Sequence, residues 1–147
     1  MAHEHRKQPG KPASDSSYFE EMTKAVFRSG FSWQVIENKW PGFDKAFAGF
    51  DIDAVANFDE RDFERLVQDE AIVRNGRKIQ ATIDNARAMQ ALIDEHGSFR
   101  AYLRTLDELD YAKRAKELQK QFGFLGRTGA FTFLWFVGEP VPEWEER

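Results

Sequence analysis

The sequence predicts an all-α fold, a single compact domain of about eight short helices. Its length of 147 residues is that of one domain. Apolar residues recur three or four positions apart, as Phe43, Phe47 and Phe50 do, which is the period of an amphipathic helix. Residues 127–137 also suit a strand by composition, but no second strand is available to pair with them. Helices are therefore favoured throughout.

Helix boundaries follow from polar capping residues and from glycine and proline. Ser32, Asp51 and Asp59 are typical caps, and Asp62 supplies the acid three residues after Asp59. We expect Pro41-Gly42 to end the second helix, because proline cannot continue the helical hydrogen-bond ladder. In chain order, we expect a helix that begins near residues 15–17 and stops at Ser29-Gly30, a helix over residues 33–39, a helical stripe through residues 43–50, a short helix after the Asp51 cap, and a helix that Asp59 caps and that leads into the hairpin. After the hairpin come a long helix to about Glu95, a helix over residues 99–106, a charged helix that starts at Asp107 or Asp110 and ends near Gln121, and a last helix over residues 127–137.

The first 14 residues differ in composition from the rest of the chain. They are polar, contain Pro9 and Pro12, and carry several basic residues. This composition predicts a disordered N-terminal arm over residues 1–14, followed by a folded domain over residues 15–147. A disordered terminus without a binding role is favoured over an arm that contacts nucleic acid.

Composition excludes several classes of site and of location. The chain has no cysteine, which excludes disulfides, thiolate metal sites and cysteine nucleophiles. Its three histidines show no metal-ligand spacing, so we expect neither a metal nor a cofactor. The N-terminus lacks the apolar stretch of a secretory signal, and the longest apolar run, 129–138, is far short of a membrane span. These features predict a cytoplasmic protein without a membrane partner.

Charge is segregated along the chain around the segment from Arg74 to Lys78. The net charge of −4 disfavours a non-specific nucleic-acid binder. Acidic residues dominate positions 59–70, however, and basic residues dominate positions 71–87. The Asn75-Gly76 pair predicts a tight turn between two helices, because both residues tolerate a positive φ. A basic turn at a helix N-terminus would suit a phosphate oxygen, although solvated basic residues on an ordinary helical hairpin give the same pattern.

Several short motifs occur along the chain in an order that is characteristic of one protein family. They are Gly30-Phe31-Ser32-Trp33, Phe43-Asp44-Lys45-Ala46-Phe47, Phe50-Asp51, Glu64-Arg65-Leu66-Val67-Gln68-Asp69, Ile72-Val73-Arg74-Asn75, Lys78-Ile79-Gln80-Ala81, Asn85-Ala86-Arg87 and Phe124-Leu125-Gly126-Arg127-Thr128. Together they resemble the bacterial DNA-3-methyladenine glycosylase I family, a member of the helix–hairpin–helix superfamily. The similarity covers roughly residues 15–95 without a gap and resumes at residues 118–138.

The resemblance implies an all-α DNA glycosylase that acts in base-excision repair. Its partner would be double-stranded DNA with a damaged base, an alkylated purine of the 3-methyladenine type, and we expect a monomer. Trp33 matches the family's stacking residue for the flipped base, although a core tryptophan fits the pattern equally well. The hairpin would grip the DNA backbone through Arg74, Asn75, Gly76, Arg77 and Lys78.

The chain departs from the family at the catalytic and zinc positions. The family carries a pocket carboxylate eight residues before its tryptophan, and that position is Ala25 here. Glu21 lies one helical turn earlier and could replace the carboxylate, but a solvated first-turn acid is the favoured interpretation. The catalytic residue therefore stays unknown. The family's zinc ligands have no counterparts, because the polar arm replaces its N-terminal motif and the chain has no cysteine.

Three functions are compatible with these residues. The first is a DNA glycosylase of altered or broader specificity. The second is a DNA-binding homologue that has lost catalysis, and the third is a helical protein-interaction domain. Salt-dependent DNA binding would separate the third function from the other two. Excision of a modified base would separate the first from the second.

Overall fold

The computed structural model describes residues 7–147, and the regular structure of this range is entirely helical. Eight α-helices and two short 3₁₀-helices follow one another in the described part, without a strand. The α-helices are α1 (Asp15–Arg28), α2 (Trp33–Ala46), α3 (Ile52–Ala56), α4 (Glu60–Val67), α5 (Gly76–His96), α6 (Phe99–Arg104), α7 (Tyr111–Gln121) and α8 (Arg127–Phe136). The 3₁₀-helices are Ala48–Phe50 and Trp144–Glu146. The predicted all-α fold is confirmed.

The core forms around α5, the longest helix, which packs against α1, α3, α4 and α6. Phenylalanine dominates the largest fully buried side chains, which include Phe19, Phe27, Phe43, Phe47, Phe50, Phe99, Phe131 and Phe133. Since α1 also packs against α8, the C-terminal end of α1 lies beside the N-terminal ends of α5 and α8. Within residues 7–147, no helix is both long and apolar enough to cross a membrane.

Side-chain caps form where the sequence predicts them. Ser32, Asp51 and Asp59 each accept a backbone N–H of the helix that follows. The Asp62 carboxylate accepts the backbone N–H of Asp59 in return, which completes a capping box. Each such cap stabilises its helix by about 1 kcal/mol, so the starts of α2, α3 and α4 are set by local sequence.

The prediction that Pro41-Gly42 ends the second helix is wrong, because α2 continues to Ala46. A proline inside a helix costs about 3 kcal/mol, and aromatic packing offsets this cost. The Trp40 ring stacks on Phe43 with 4.9 Å between ring centroids. Gly42 does not end the helix. It lets the backbone at Ala71 approach α2 closely, since a Cβ at Gly42 would lie 2.3 Å from the carbonyl oxygen of Ala71.

The predicted helix over residues 43–50 is interrupted before its end. Ala48, Gly49 and Phe50 all have positive φ angles, which a right-handed helix does not accommodate. The three phenylalanines of the predicted stripe are nevertheless fully buried. Phe50 stacks on Trp40 with 5.2 Å between ring centroids, so the sharp turn keeps it in the same aromatic cluster as α2.

Residues 8–12, part of the predicted N-terminal arm, lie against the C-terminal part of the chain. The Gln8 side-chain amide donates to two backbone carbonyls there. The Lys11 amine lies 3.2 Å from the buried carboxylate of Glu139. Residues 1–6 of the predicted arm lie outside the described residues.

Candidate base pocket and nucleic-acid interface

A cleft of about 680 Å³ opens where α1, α2 and α8 meet. Its walls include Ala25 and Arg28 of α1, Trp33 of α2, and Thr128 and Thr132 of α8. The other lining residues are Ser29, Gly30, Phe31, Gly129 and Trp144. This volume is typical of a small-ligand site. The structure therefore brings Ala25 and Trp33, two of the positions singled out in the sequence, to one cleft.

The turn between α1 and α2 sets the position of Trp33. Gly30 has a φ of 71°, a conformation that favours glycine, and the Ser32 hydroxyl accepts the backbone N–H of Val35 to begin α2. Trp33 is only partly buried, and its ring centroid lies 6.1 Å from that of Phe136 in α8. Trp33 thus packs on α8 and lines the cleft at the same time.

Arg28 places a guanidinium group in the wall of the cleft. Its side chain is 7% exposed, and its Cζ atom lies 4.7 Å from the Trp33 ring centroid and 4.5 Å from the Phe136 ring centroid. These cation–π contacts hold the guanidinium group over both rings. Sequence reasoning missed Arg28, although its spacing was a signal. It lies three positions after Ala25 and hence on the same face of α1.

Glu21, the candidate substitute for the missing carboxylate, lies beside this cleft instead of lining it. Its carboxylate oxygen is 3.7 Å from the Lys24 amine. Burial raises the pKa of Glu21, and the nearby charges of Lys24 and Arg28 act in the opposite direction. Glu21 is therefore a partly buried acid one turn from Ala25, and it contributes no oxygen atom to the cleft wall.

The connection between α4 and α5 is longer than the predicted turn. It covers residues 68–75, and neither Asn75 nor Gly76 has a positive φ. Asn75 is extended, with a φ of −96°, and its side chain accepts the backbone N–H of Lys78. The prediction of a tight positive-φ turn is therefore wrong, because the asparagine acts as the N-cap of α5.

The three basic residues of this segment differ in burial. Arg74 and Arg77 are exposed, whereas Lys78 is 5% exposed. The Lys78 amine donates to the Ser29 carbonyl at 2.6 Å and to the Phe27 carbonyl at 3.4 Å. The last carbonyls of a helix lack intrahelical partners, so Lys78 closes the C-terminal end of α1. Burial lowers the pKa of this amine, which does not lie on the surface with the two arginines.

Two exposed phenylalanines flank these basic residues. Phe31 is 43% exposed and its ring centroid lies 5.9 Å from the Lys78 amine, while Phe124 is 40% exposed and lies 5.6 Å from the Arg77 guanidinium. Sequence reasoning missed both, although each follows a glycine. We define the basic–aromatic edge as Phe31, Arg74, Arg77 and Phe124. It adjoins the cleft, which Phe31 also lines.

Asn85 fixes the loop that presents Phe124. The Asn85 side chain is buried in α5, donates to the Gly123 carbonyl at 3.2 Å and accepts the Gly123 N–H at 2.8 Å. Phe124 itself has a φ of 55°, which is uncommon for a bulky residue. The two hydrogen bonds hold the loop in a conformation that directs a strained aromatic residue outwards.

A second cleft, of about 890 Å³, lies between the α3–α4 region and α5. Asp59, Glu60 and Glu64 line it, and it shares no lining residue with the Trp33 cleft. Its Arg87 donates to the backbone carbonyls of Ala56 and Phe58. The carboxylates would repel a phosphate, so this cleft is a poor nucleic-acid site.

The described residues do not fit the zinc site that is found in the family this sequence resembles. The chain has no cysteine, and within residues 7–147 no group of three His, Asp or Glu side chains is arranged to hold a metal ion. A structural zinc ion takes four such ligands. The family's zinc site has no counterpart in this part of the chain.

The sequence and the fold are similar to those of known proteins. The family model for methyladenine glycosylase matches residues 1–122. DNA-3-methyladenine glycosylase 1 of Escherichia coli (strain K12) is 36% identical over 101 residues, which are 68% of this chain and 47% of that protein. The chain thus spans about half the length of this curated relative.

Solved structures agree with the family model. A crystal structure of 3-methyladenine DNA glycosylase I has a TM-score of 0.79 at 28% identity, over 93% of this chain and 86% of that chain. A solution structure of 3-methyladenine DNA glycosylase I has a TM-score of 0.73 at 29% identity, over 93% and 84%. The Staphylococcus aureus protein, with a TM-score of 0.79 at 24% identity over 92% and 82%, is similar in fold. Since the family model matches most of its length, this chain belongs to the methyladenine glycosylase family.

Proposed function

We propose that this chain is a DNA glycosylase that removes a damaged purine from double-stranded DNA in base-excision repair. The observation that carries the proposal is the Trp33 cleft, which opens beside the basic–aromatic edge in a fold of this family. The relatives are named 3-methyladenine DNA glycosylases, so alkylated purines of that type are the first substrates to test. The protein would act as a cytoplasmic monomer without a cofactor.

Arg74 and Arg77 would bind phosphates of the DNA backbone. Both are exposed at the N-terminus of α5, where backbone N–H groups and the helix dipole also favour an anion. The Asn75 side chain already accepts the Lys78 N–H, so the backbone of Gly76 and Arg77 would serve the phosphate. Lys78 would support this surface indirectly, because it ties the start of α5 to the end of α1.

Phe31 and Phe124 would contact the nucleotides beside the damaged base. An exposed ring can stack on a base, which contributes about 1–3 kcal/mol to binding and tolerates any sequence. Phe31 lies where the edge meets the cleft, and a strand must open at such a point for a base to leave the stack. Their role would therefore be to stabilise the distorted strand.

The flipped base would stack on Trp33 inside the cleft. Water would add to C1′ of the deoxyribose as the bond from C1′ to the purine N9 breaks, and the electron pair of that bond would leave with the base. The proton that the added water loses would pass to solvent. A purine alkylated at N3 carries a positive charge that this pair neutralises, so its departure needs little acid catalysis. Ala25 supplies no carboxylate, and Glu21 would have to move to reach the base.

A DNA-binding homologue without catalysis is the second candidate function, and Ala25 is the observation that favours it. Both candidates use the same edge to hold DNA, so they differ only in base release. If the chain shows no salt-dependent binding to DNA, the result would instead favour the protein-interaction alternative.

The test is single-turnover release of 3-methyladenine from methylated duplex DNA. Trp33→Ala should slow release about 10- to 100-fold, which corresponds to the loss of one stacking contact of about 1–3 kcal/mol. Trp33→Phe keeps a ring and should retain most of the activity, and duplex affinity should be unchanged in both variants. Equal release by wild type and Trp33→Ala would contradict the stacking role. No release by the wild type, with salt-sensitive DNA binding intact, would favour the inactive homologue.

A further inference from the structure

Residues 8–12 form a short segment that lies against the end of α8, and we call this segment the N-terminal strap. The Gln8 side-chain amide donates to the backbone carbonyls of Trp135 and Glu139, at 3.0 Å and 2.8 Å. Both acceptors are remote from Gln8 in the chain and lie at or just after the C-terminal end of α8. Tertiary contacts therefore hold the strap in place, and local sequence does not.

The backbone of the strap packs directly on Gly138, which follows α8. Gly138 has a φ of 76°, and a Cβ there would lie 3.0 Å from a backbone atom of each of residues 9–11. The two backbones thus approach each other as closely as a glycine allows. The Lys11 amine also donates to the Gly138 carbonyl at 3.2 Å. The strap therefore packs on the end of α8 in one defined position.

Glu139 anchors the strap through a buried carboxylate. This residue is 3% exposed, and its backbone N–H donates to the Leu134 carbonyl at 2.9 Å, which ties it to α8. Its carboxylate lies 3.2 Å from the Lys11 amine and also pairs with the Arg104 guanidinium of α6. A carboxylate that is removed from water is stable only when cations or donors compensate its charge. The strap supplies one of these two cations, so charge as well as packing fixes its position.

The helix that the strap contacts also forms a wall of the Trp33 cleft. Phe136 is the last residue of α8, and its ring centroid lies 6.1 Å from that of Trp33. Thr128 and Thr132 of the same helix line the cleft. Because α8 has only 10 residues, we treat it as one rigid element. A shift at its C-terminal end would therefore move Phe136 and alter the packing of Trp33.

We infer that the N-terminal strap positions the Trp33 cleft from outside it. Through Glu139, the strap holds the C-terminal end of α8, and through Phe136 this helix holds the Trp33 ring in place for the base. Gln8 and Lys11 are positioning residues and not catalytic ones, because neither lines the cleft. The effect on the Trp33 ring is a property of the fold, whereas the effect on base release rests on the proposed glycosylase function.

The first experiment measures the position of Trp33 without catalysis. NMR follows the indole N–H signals of the full chain, and the Trp33 signal is assigned by its loss in Trp33→Phe. Lys11→Met removes the charge and Gln8→Ala removes the amide, and each should shift the Trp33 signal. Both residues are exposed, so both variants should fold. Lys11→Arg keeps the charge and should leave the signal in place, as should the matched control Lys116→Met, which removes an exposed lysine of α7.

Amide hydrogen exchange in the same variants tests whether the strap holds α8. The backbone N–H groups of Gly138 and Glu139 donate to carbonyls of α8. Their exchange should become at least about 10-fold faster in Lys11→Met, the effect of losing one charge-assisted hydrogen bond, and should not change in Lys116→Met. Unchanged exchange in Lys11→Met would show that the strap does not hold the helix. Faster exchange with an unmoved Trp33 signal in both Lys11→Met and Gln8→Ala would confine the strap to the end of α8. Either result would overturn the inference.

Single-turnover release of 3-methyladenine from methylated duplex DNA then tests the consequence for the reaction. Lys11→Met should release the base at least about 3-fold more slowly than wild type, because a displaced ring positions the base less well. Duplex affinity and its salt dependence should match those of wild type. A loss of affinity together with a smaller salt dependence would identify Lys11 as a phosphate contact and overturn the inference. If wild type releases no base, the glycosylase function fails, and the Trp33 signal still decides whether the strap positions the cleft.

Discussion

The Trp33 cleft and the basic–aromatic edge are neighbours, but they are assembled in different ways. Two of the four edge residues, Arg74 and Arg77, lie at one helix N-terminus that a local cap defines. The cleft instead depends on tertiary packing, because it brings side chains of α8, near the end of the chain, against those of the consecutive helices α1 and α2. Lys78 joins the two regions, because its amine ties the start of α5 to the end of α1. Changes at the edge should therefore alter DNA affinity alone, whereas changes at this junction should alter stability.

The largest effect on stability is expected at that junction. Lys78→Ala should lower the free energy of unfolding by about 2–3 kcal/mol, because it removes a buried side chain and leaves the Ser29 carbonyl without its donor. Arg77→Ala, one residue earlier on the exposed side, should change it by no more than about 0.5 kcal/mol. Urea denaturation of both variants makes the comparison. Equal destabilisation by the two substitutions would show that the difference in burial between Lys78 and Arg77 does not determine their contributions to stability.

The local part of the fold could be predicted from the sequence because its causes are local. The caps at Ser32, Asp51 and Asp59 form as predicted, since an N-cap depends on three or four consecutive residues. Pro41 misled the prediction because the aromatic packing that outweighs its cost comes from tertiary structure. Asn75 misled it because the same residue type favours both turns and caps.

The site could be predicted only where a single motif contains it. The motif around Trp33 indicated a residue of the cleft, and the structure places Trp33 and Ala25 there. Lys78 could not be separated from Arg77 by sequence, because its burial depends on the end of α1, which is remote in the chain. The spacing of Arg28 from Ala25 placed it on the same face of α1, but only the fold shows that it meets the ring of Phe136 in the last helix.

The arginines of the edge test whether this region acts through phosphate binding. Arg74→Gln and Arg77→Gln should each weaken binding to any duplex sequence, and each should reduce the slope of log affinity against log salt by about 1. Fluorescence anisotropy over a range of salt concentrations measures both quantities. Lys113→Gln is the matched control, because it removes one exposed positive charge at the start of α7, away from the Phe124 loop. The same change in slope in Lys113→Gln would contradict a specific phosphate contact at Arg74 and Arg77.

Phe124 tests whether the edge also uses its exposed rings. Phe124→Gly should weaken binding to duplex DNA by about 1 kcal/mol through the loss of stacking. Stability should stay within about 0.5 kcal/mol, because glycine accepts the φ of 55° without strain and the phenylalanine ring is largely exposed. Val35→Ala, a change at another exposed apolar residue, should leave affinity unchanged. A stability loss in Phe124→Gly as large as that in Lys78→Ala would assign the ring to the core and not to the edge.

Glu21→Gln should give the smallest change in stability. The pH dependence of this change should have the opposite sign to that expected at an exposed helix cap. Burial raises the pKa of Glu21, so between the usual value of 4.5 and the raised value the folded protein binds more protons than the unfolded chain. The free energy of unfolding should then fall as pH rises through this window. Glu21→Gln should remove that fall, which makes the variant the more stable protein at pH 7 and not at pH 4.

Asp59 is the counterpart with the opposite sign. Hydrogen bonds from the backbone of Asp62 and Arg61 lower the pKa of this exposed capping residue, so its contribution is present above the usual value of 3.8 and is lost as pH falls through the lowered value. Asp59→Asn should therefore reduce stability at pH 7 and have little effect in strong acid. Thermal unfolding from pH 2 to pH 8 compares the two variants. Parallel pH dependence in Glu21→Gln and Asp59→Asn would mean that burial next to the cleft does not control Glu21, and that its carboxylate behaves as an ordinary solvated acid of the first helix.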